Sequence, residues 1–404
     1  MSNLTLREAF TNHKFILVEE MLKENPSSFK DLNNWDQSYL ITEALKQKSF
    51  STIFTLIDLN LIESDLFELD NFSGSFIETI LANIPFYSQP ISAFNYKIIS
   101  KEEPNEEAFN FLDKFASKIE NIDETVSNTT ILKWSLTKKL PLKAIEILIQ
   151  KGCKVNEIDA SENSLMHLDL PEEYFELLIN YGLNVNHKNK GNVTPLQNAI
   201  DKGNKDNVRI LLENGANAQH KDNRGNSMFY MTLVDKLNYE IYDLLCEFDS
   251  PNFEETNNDG ASMLFEYIRR LDNYSSENSL KFLNKILEQG ANLTLKCLYY
   301  GSPTTPLDMA ITKNFAVFEI ILNHLYTNIN EQDDNGNTLL HKVCDVNLNF
   351  EAEKAKDLYK KVKLILEKGA DVSIRNAQDK LPIDLASNDN LKEKTVQLLL
   401  KQNQ

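Results

Sequence analysis

Apolar residues fall along this chain in short runs with helical spacing, and most runs end in a glycine followed by a polar stretch. One clear unit starts at Thr194-Pro195-Leu196-Gln197-Asn198-Ala199, continues through the apolar run Val208, Ile210, Leu211, Leu212 and closes on Gly215-Ala216-Asn217. Another opens at Thr338-Leu339-Leu340-His341 and closes on Leu364-Ile365-Leu366 and Gly369-Ala370-Asp371-Val372. Thr305-Pro306-Leu307-Asp308-Met309-Ala310 opens a third. The first position of this slot recurs at Thr130, Ser164, Thr194, Ser227, Ser262, Thr305, Thr338 and Leu381, in steps of 34, 30, 33, 35, 43, 33 and 43 residues. A fixed period of this length is the mark of a repeat array, in which each unit buries its apolar face only by stacking on neighbours. One unit is shortened, and two carry insertions. The first insertions are at 271–279 between helices and at Cys297-to-Ser302 in the hairpin. The second is at Asn347-to-Lys356.

Each part of the unit has a physical reading. The slot Ser or Thr is placed to cap a first helix, accepting from backbone N–H groups that lack a helical partner. Pro195, Pro306 and Pro382 fall in the first turn, where a missing N–H costs nothing. Gly215, Gly290 and Gly369 follow a second helix and suit a left-handed C-cap. Asp222-Asn223-Arg224-Gly225 and Asp333-Asp334-Asn335-Gly336 are turn sequences, expected at hairpin tips.

These units resemble the ankyrin repeat, whose pattern runs roughly DxxGxTPLHxA and ends in LLxxGA. The resemblance implies an all-α fold, a solenoid of stacked helix-turn-helix units with hairpin loops, about eight of them over residues 126–404. It also implies that His341 and His167 hydrogen-bond to backbone in their loops, and that a partner contacts the hairpin tips and the exposed side of the first helices, on a concave face. Residues 1–125 read as a helical N-terminal region. Leu6-to-Asn25 has the spacing of a helix pair, while Ser38-Tyr39-Leu40-Ile41 and Gly74-Ser75-Phe76-Ile77 are placed as further slots. The stretch from Pro85 to Pro104 breaks the pattern, so this region is either degenerate units or an unrelated helical cap.

Composition narrows the function. Hydrophobic residues are 42% and charged residues 25% of the 404, with only 12 glycines and 11 prolines, which suits a helical protein with a large core. The 60 acidic and 42 basic residues give a net charge of −18, which repels nucleic acid in the absence of a basic patch and is compatible with a basic or neutral protein partner. Cys153, Cys246, Cys297 and Cys344 are dispersed without a CxxC pair, arguing against zinc and disulfides and for a reducing cytoplasm. Neither a signal sequence nor an apolar span is apparent, so a cytoplasmic chain, monomeric by itself, is expected.

Catalytic signatures are not found. GxSxG, Walker A, HExxH and dinucleotide fingerprints are missing, and neither cofactor nor metal is expected. His187 and His220 share a position in successive units and read as a solvated pair. Cys344, His341 and Asp345 share one helical turn, but each has a structural reading. The remaining working surface, mapped through the resemblance, comprises Lys190, Asp201, Lys202, Asn223, Arg224, Asp235, Asn258, Asp259, Arg269, Arg270, Lys313, Asp334 and Asn335. Phe229, Tyr230 and Tyr267 replace smaller or polar family residues; exposed, they are hot-spot candidates, and packed, they are core. The expectation is a non-catalytic module for protein binding. Its Lys-, Asn-, Ile- and Phe-rich style resembles ankyrin effectors that intracellular bacteria such as Legionella or Coxiella deliver into host cytoplasm. The alternatives are an effector enzyme with its catalytic part in residues 1–125, and an endogenous scaffold or inhibitor.

Overall fold

A computed structural model describes residues 4–87, 104–271 and 276–402. Most of the pattern break at 85–104, and residues 272–275 of the first lengthened unit, lie outside them. The chain divides into two compact units, residues 1–198 with 209–216 and residues 199–208 with 217–404.

In the first unit, short helices pack on their chain neighbours, Leu6–Thr11 on Phe15–Glu24, Asn34–Lys46 on Phe50–Asp58 and Ile131–Thr137 on Leu142–Gln150, and Phe76–Asn83 and Glu106–Ala116 stand between the second and third of these pairs in chain order. First helices pack on first helices (6–11 on 34–46, 34–46 on 76–83), and second on second (15–24 on 50–58, 106–116 on 142–150). The stacked rings of Phe50 and Phe111, 4.4 Å apart, join two of these second helices. The pair expected from Leu6-to-Asn25 is present, and Ser75 caps its helix by accepting from Glu78 N at 3.1 Å. Ser38, expected as a cap, is instead inside a helix that starts four residues before it, because Asn33 takes the cap by accepting from Asp36 N at 2.9 Å.

The second unit repeats the arrangement. Met263–Arg270, Pro306–Ile311, Leu339–Cys344 and Pro382–Ala386 stack in that order as first helices. Glu277–Glu288, Phe315–Asn323, Ala352–Glu367 and Glu393–Gln402 stack as second helices. The slot oxygens cap as expected, with Ser227, Ser262, Thr305 and Thr338 accepting from the N–H three residues on at 3.1 to 3.4 Å. Leu381 has no hydroxyl, and Asp384 Oδ2 compensates by accepting from Leu381 N at 2.8 Å. Between the layers Leu340, Val343, Val362 and Ile365 are completely buried, each worth about 1.5–3 kcal/mol relative to exposure.

The first helix opening at Ser227 is irregular. The left-handed residue that ends the first helix stands nine positions after the slot at Lys139, but ten after it at Leu237. The extra residue is absorbed by a π turn over Met231–Asp235, with Lys236 N donating to Met231 O at 2.9 Å; such one-residue bulges recur at functional sites.

The hairpin tips share one device. Asp159, Asn189, Asp222, Asn257, Asp333 and Asn376 each accept, through Oδ1, from the backbone N–H two and four residues on, at 2.8 to 3.1 Å. Successive tips within a unit are then tied by backbone: Lys190 N to Ser161 O, Asn258 N to Arg224 O and Ala377 N to Asn335 O, at 2.8 to 3.0 Å. The insertion at Cys297 adds the all-α expectation's one exception among the described residues, a β-hairpin of strands Cys297–Tyr299 and Ser302–Thr304. Its two-residue turn, Tyr300-Gly301, has positive φ at both residues, the geometry that matches strand twist. Leu298 N donates to Gly260 O at 2.9 Å, docking the hairpin on the preceding tip.

Candidate functional site

Two adjacent repeats of the second unit, opening at Ser227 and Ser262, gather six of the sequence-derived candidates around one hollow of about 140 Å³. Arg224 and Asp259 come from the tips, Tyr230 and Asp235 from the irregular first helix, and Arg269 and Arg270 from the next. Asp235, the last residue of the π turn, is shared by two guanidiniums: Arg270 Nη2 lies 3.0 Å from Oδ1 and Arg224 Nη2 3.5 Å from Oδ2. Burial pushes the Asp235 carboxyl up, against the charges of Arg270 and Arg224 that pull it down. Arg269 is held by Glu266, with Nε at 2.9 Å and Nη2 at 2.6 Å from Oε2, and this bond raises the guanidinium pKa further. Glu266 was not among the candidates; its i, i+3 spacing to Arg269 on one helix was the signal for it. The three arginine side chains remain 40 to 64% exposed, so each is oriented yet reachable.

Other candidates are placed differently. Phe229 and Tyr267 are completely buried and Tyr230 is 7% exposed, so none is an exposed aromatic hot spot. The cause is packing on the second helices. Phe229 meets the edge of Tyr242 at 6.0 Å, and Tyr267 donates from its hydroxyl to Ser279 O at 2.9 Å. Burial raises the phenol pKa of Tyr230 and Tyr267. Tyr267→Phe should cost about 1 kcal/mol in denaturant unfolding by removing that bond, with unchanged helical content.

Lys190 Nζ donates to Ala160 O at 2.7 Å, and Asn258 Nδ2 to Asn223 O at 2.9 Å, so both serve their hairpins. Lys313 is drawn inward, donating to Arg269 O at 2.7 Å and Leu271 O at 2.6 Å and closing the end of the preceding first helix. The same device recurs with Lys361 on Ile311 O and Lys392 on Cys344 O, both at 2.8 Å, carbonyls that a helix end leaves without partners. Asp201 pairs with Lys236 at 2.9 Å, and Lys202 is exposed. Asp334 and Asn335 are exposed at their tip.

The residues with chemical potential are engaged in structure. His341 Nδ1 accepts from Thr338 N at 3.2 Å and its Nε2–H donates to Lys380 O at 3.1 Å; His167 does the same with Ser164 N at 3.2 Å and Val193 O at 3.0 Å. Burial lowers both imidazole pKa values, as this neutral tautomer requires. Both ring nitrogens of His341 are thus occupied away from Cys344, whose thiol burial pushes up to about 12. His187 Nε2 donates to Glu162 O at 2.7 Å, and His220 is buried rather than solvated. Among the described residues no cluster of His, Cys, Asp and Glu has metal-holding geometry, and no helix is long and apolar enough to cross a membrane.

The family model described as ankyrin repeats (3 copies) matches residues 141–222 and 166–257. A putative ankyrin repeat protein of Acanthamoeba polyphaga mimivirus is 27% identical over 175 residues, covering 41% of this chain and 20% of that protein. The chain therefore spans a fifth of the length of that relative. Among solved structures, the ankyrin repeat domain of Bcl-3, a member of the IkappaB protein family, is 19% identical with a TM-score of 0.44, over 68% of this chain and 98% of that one. An ankyrin repeat domain from Acinetobacter baumannii AYE is 18% identical with a TM-score of 0.39, over 50% and 93%. With capped slots, histidine clamps and Asx-built tips in place, the fold is the ankyrin-repeat fold, and residues 141–257 carry the repeats that the family model matches.

Proposed function

We propose that this chain is a non-catalytic module that holds a protein partner on the tips and first helices of the repeats opening at Ser227 and Ser262. The observation that carries the reading is the hollow where Arg224, Arg269 and Arg270 converge beside Tyr230, each guanidinium fixed by a carboxylate and half exposed. Arginine and tyrosine dominate binding hot spots, and a side chain already ordered in the free protein loses less entropy on binding. The engaged histidines and the buried Cys344 thiol, pushed up to about 12, support binding over catalysis. The packing of Glu106–Ala116 on Leu142–Gln150 supports reading residues 1–125 as part of the array, rather than as a separate enzyme domain.

The proposed setting is a host cytoplasm, which rests on the composition alone. Affinity capture from eukaryotic and bacterial lysates, with hydrogen–deuterium exchange on the complex, tests both parts. The expected result is one stoichiometric eukaryotic partner that protects residues 224–235 and 257–270. Protection confined to the second helices overturns the face, and partners only from bacterial lysate overturn the setting.

A further inference from the structure

The shortened repeat opening at Ser164 leaves a gap in the first unit. Its first helix is reduced to one 3-10 turn, Leu165–His167, where the preceding repeat has the seven residues of Ile131–Thr137. Between Lys133 of that helix and Asn198 of the following repeat, the structure has a hollow of about 510 Å³. Its charged wall is Glu157, Asp159 and Lys133, and the three are not equivalent.

Asp159 is saturated. It accepts from Ser161 N at 2.9 Å, Asn163 N at 3.0 Å, Asn163 Nδ2 at 3.2 Å and Lys133 Nζ at 3.3 Å. Against the burial that raises it, these bonds hold its carboxyl at about 2. Lys133 is committed to the same carboxylate. Glu157 accepts through Oε1 from Thr130 Oγ1 at 2.7 Å, and no other donor among the described residues reaches its carboxylate. Burial raises its carboxyl pKa more than the Thr130 bond and the Lys133 charge lower it. Beside it, Ile158 is 55% exposed, and Leu168 and Val193 continue an apolar wall.

We infer that this hollow receives a primary ammonium group on an alkyl stem, with Glu157 Oε2 as its anion. Two carboxylates face one lysine here, so a single added cation balances the site. A guanidinium pairs best with both oxygens of a carboxylate, and Oε1 is already occupied by Thr130; a compact ammonium needs only Oε2. The stem lies along Ile158, Leu168 and Val193. The source is either a lysine side chain of a bound peptide or a free alkyl diamine. The site shares no residue with the arginine hollow and stands or falls separately from it.

The test is calorimetric titration of the full chain with three probes: Nα-acetyl-lysine N-methylamide, its norleucine analogue and 1,5-diaminopentane. The lysine derivative should bind at least about tenfold tighter than the norleucine analogue, equivalent to one charge-assisted bond. Glu157→Gln, whose amide oxygen still accepts from Thr130, should lose that advantage while circular dichroism and the unfolding midpoint hold. If Glu157→Gln does not fold, Ile158→Trp replaces it: an indole on this exposed rim fills the hollow and should abolish binding of the lysine derivative. Tighter binding of the lysine derivative than of the diamine assigns the site to a peptide lysine, and the reverse assigns it to a free amine. Equal affinity for lysine and norleucine probes, unchanged affinity in either variant, or no binding of either ammonium probe overturns the inference.

Discussion

His341→Ala should be among the most damaging single substitutions in the second unit, costing about 2–4 kcal/mol in denaturant unfolding. The ring is completely buried and bonds at both nitrogens. Its removal strands the Thr338 N–H and the Lys380 carbonyl, one in its own repeat and one in the next, and leaves a cavity. Thr338→Val should cost less, about 1 kcal/mol, because it removes only the cap hydroxyl. The same histidine predicts a pH dependence. Burial lowers the folded pKa below the ordinary 6.5, so the unfolded chain binds more protons between the two values and stability falls as the pH drops below about 6.5. His167, lowered for the same reason, adds to that loss. Unfolding curves between pH 7.5 and 5.5 should show a steeper decline for the parent chain than for His341→Gln. Parallel declines would mean that the ring is not held neutral by its clamp.

Gly336→Ala should cost a comparable about 3 kcal/mol, and the comparison with Gly290→Ala separates its causes. Both glycines have positive φ, +72° and +94°, which a residue with a Cβ adopts at a cost of about 1–2 kcal/mol. Around Gly290 an added Cβ meets nothing within 4 Å, so backbone conformation is the whole effect. At Gly336 the added Cβ would stand 2.7 Å from Ala377 N, a backbone atom that donates to Asn335 O at 3.0 Å. The tip-to-tip bond must break or the tips must part. If the two variants unfold at the same denaturant concentration, the tie between tips contributes nothing to stability.

These contacts explain what was legible in the sequence. Slot hydroxyls, C-cap glycines and Asp-x-x-Gly tips act within a few residues of themselves, so their roles follow from local order; the clamps of His341 and His167 came through the family resemblance. What depends on distant packing was not legible. Ser38 carries the right hydroxyl, yet Asn33 caps the helix because the first helix there is longer than the repeat requires. Phe229 and Tyr267 replace smaller or polar family residues, which leaves both an exposed and a packed reading, and the second-helix neighbours Tyr242 and Ser279 decide for burial. The acceptors of Lys313 are 42 and 44 residues away, across an insertion that blurs the register. The β-hairpin had a usable signal in Tyr300-Gly301, since a glycine in a two-residue turn suits positive φ. The arginine hollow was legible as separate residues; the π turn that ends at Asp235 was not.

We propose that the arginine hollow of the repeats opening at Ser227 and Ser262 carries partner binding. The most direct measurement is the affinity of the captured partner for three chains: the parent, Arg269→Glu/Arg270→Glu, and Lys281→Glu/Lys356→Glu on the exposed second helices. Truncated hot spots each cost about 2 kcal/mol or more, and reversal adds repulsion, so the arginine pair should weaken binding by about a hundredfold or more. Its unfolding midpoint should stay near the parent's, because half-exposed ion pairs contribute about 0–1 kcal/mol. The second-helix pair should bind as the parent does. An arginine double variant that folds and keeps parental affinity, or a loss confined to the second-helix pair, contradicts the account.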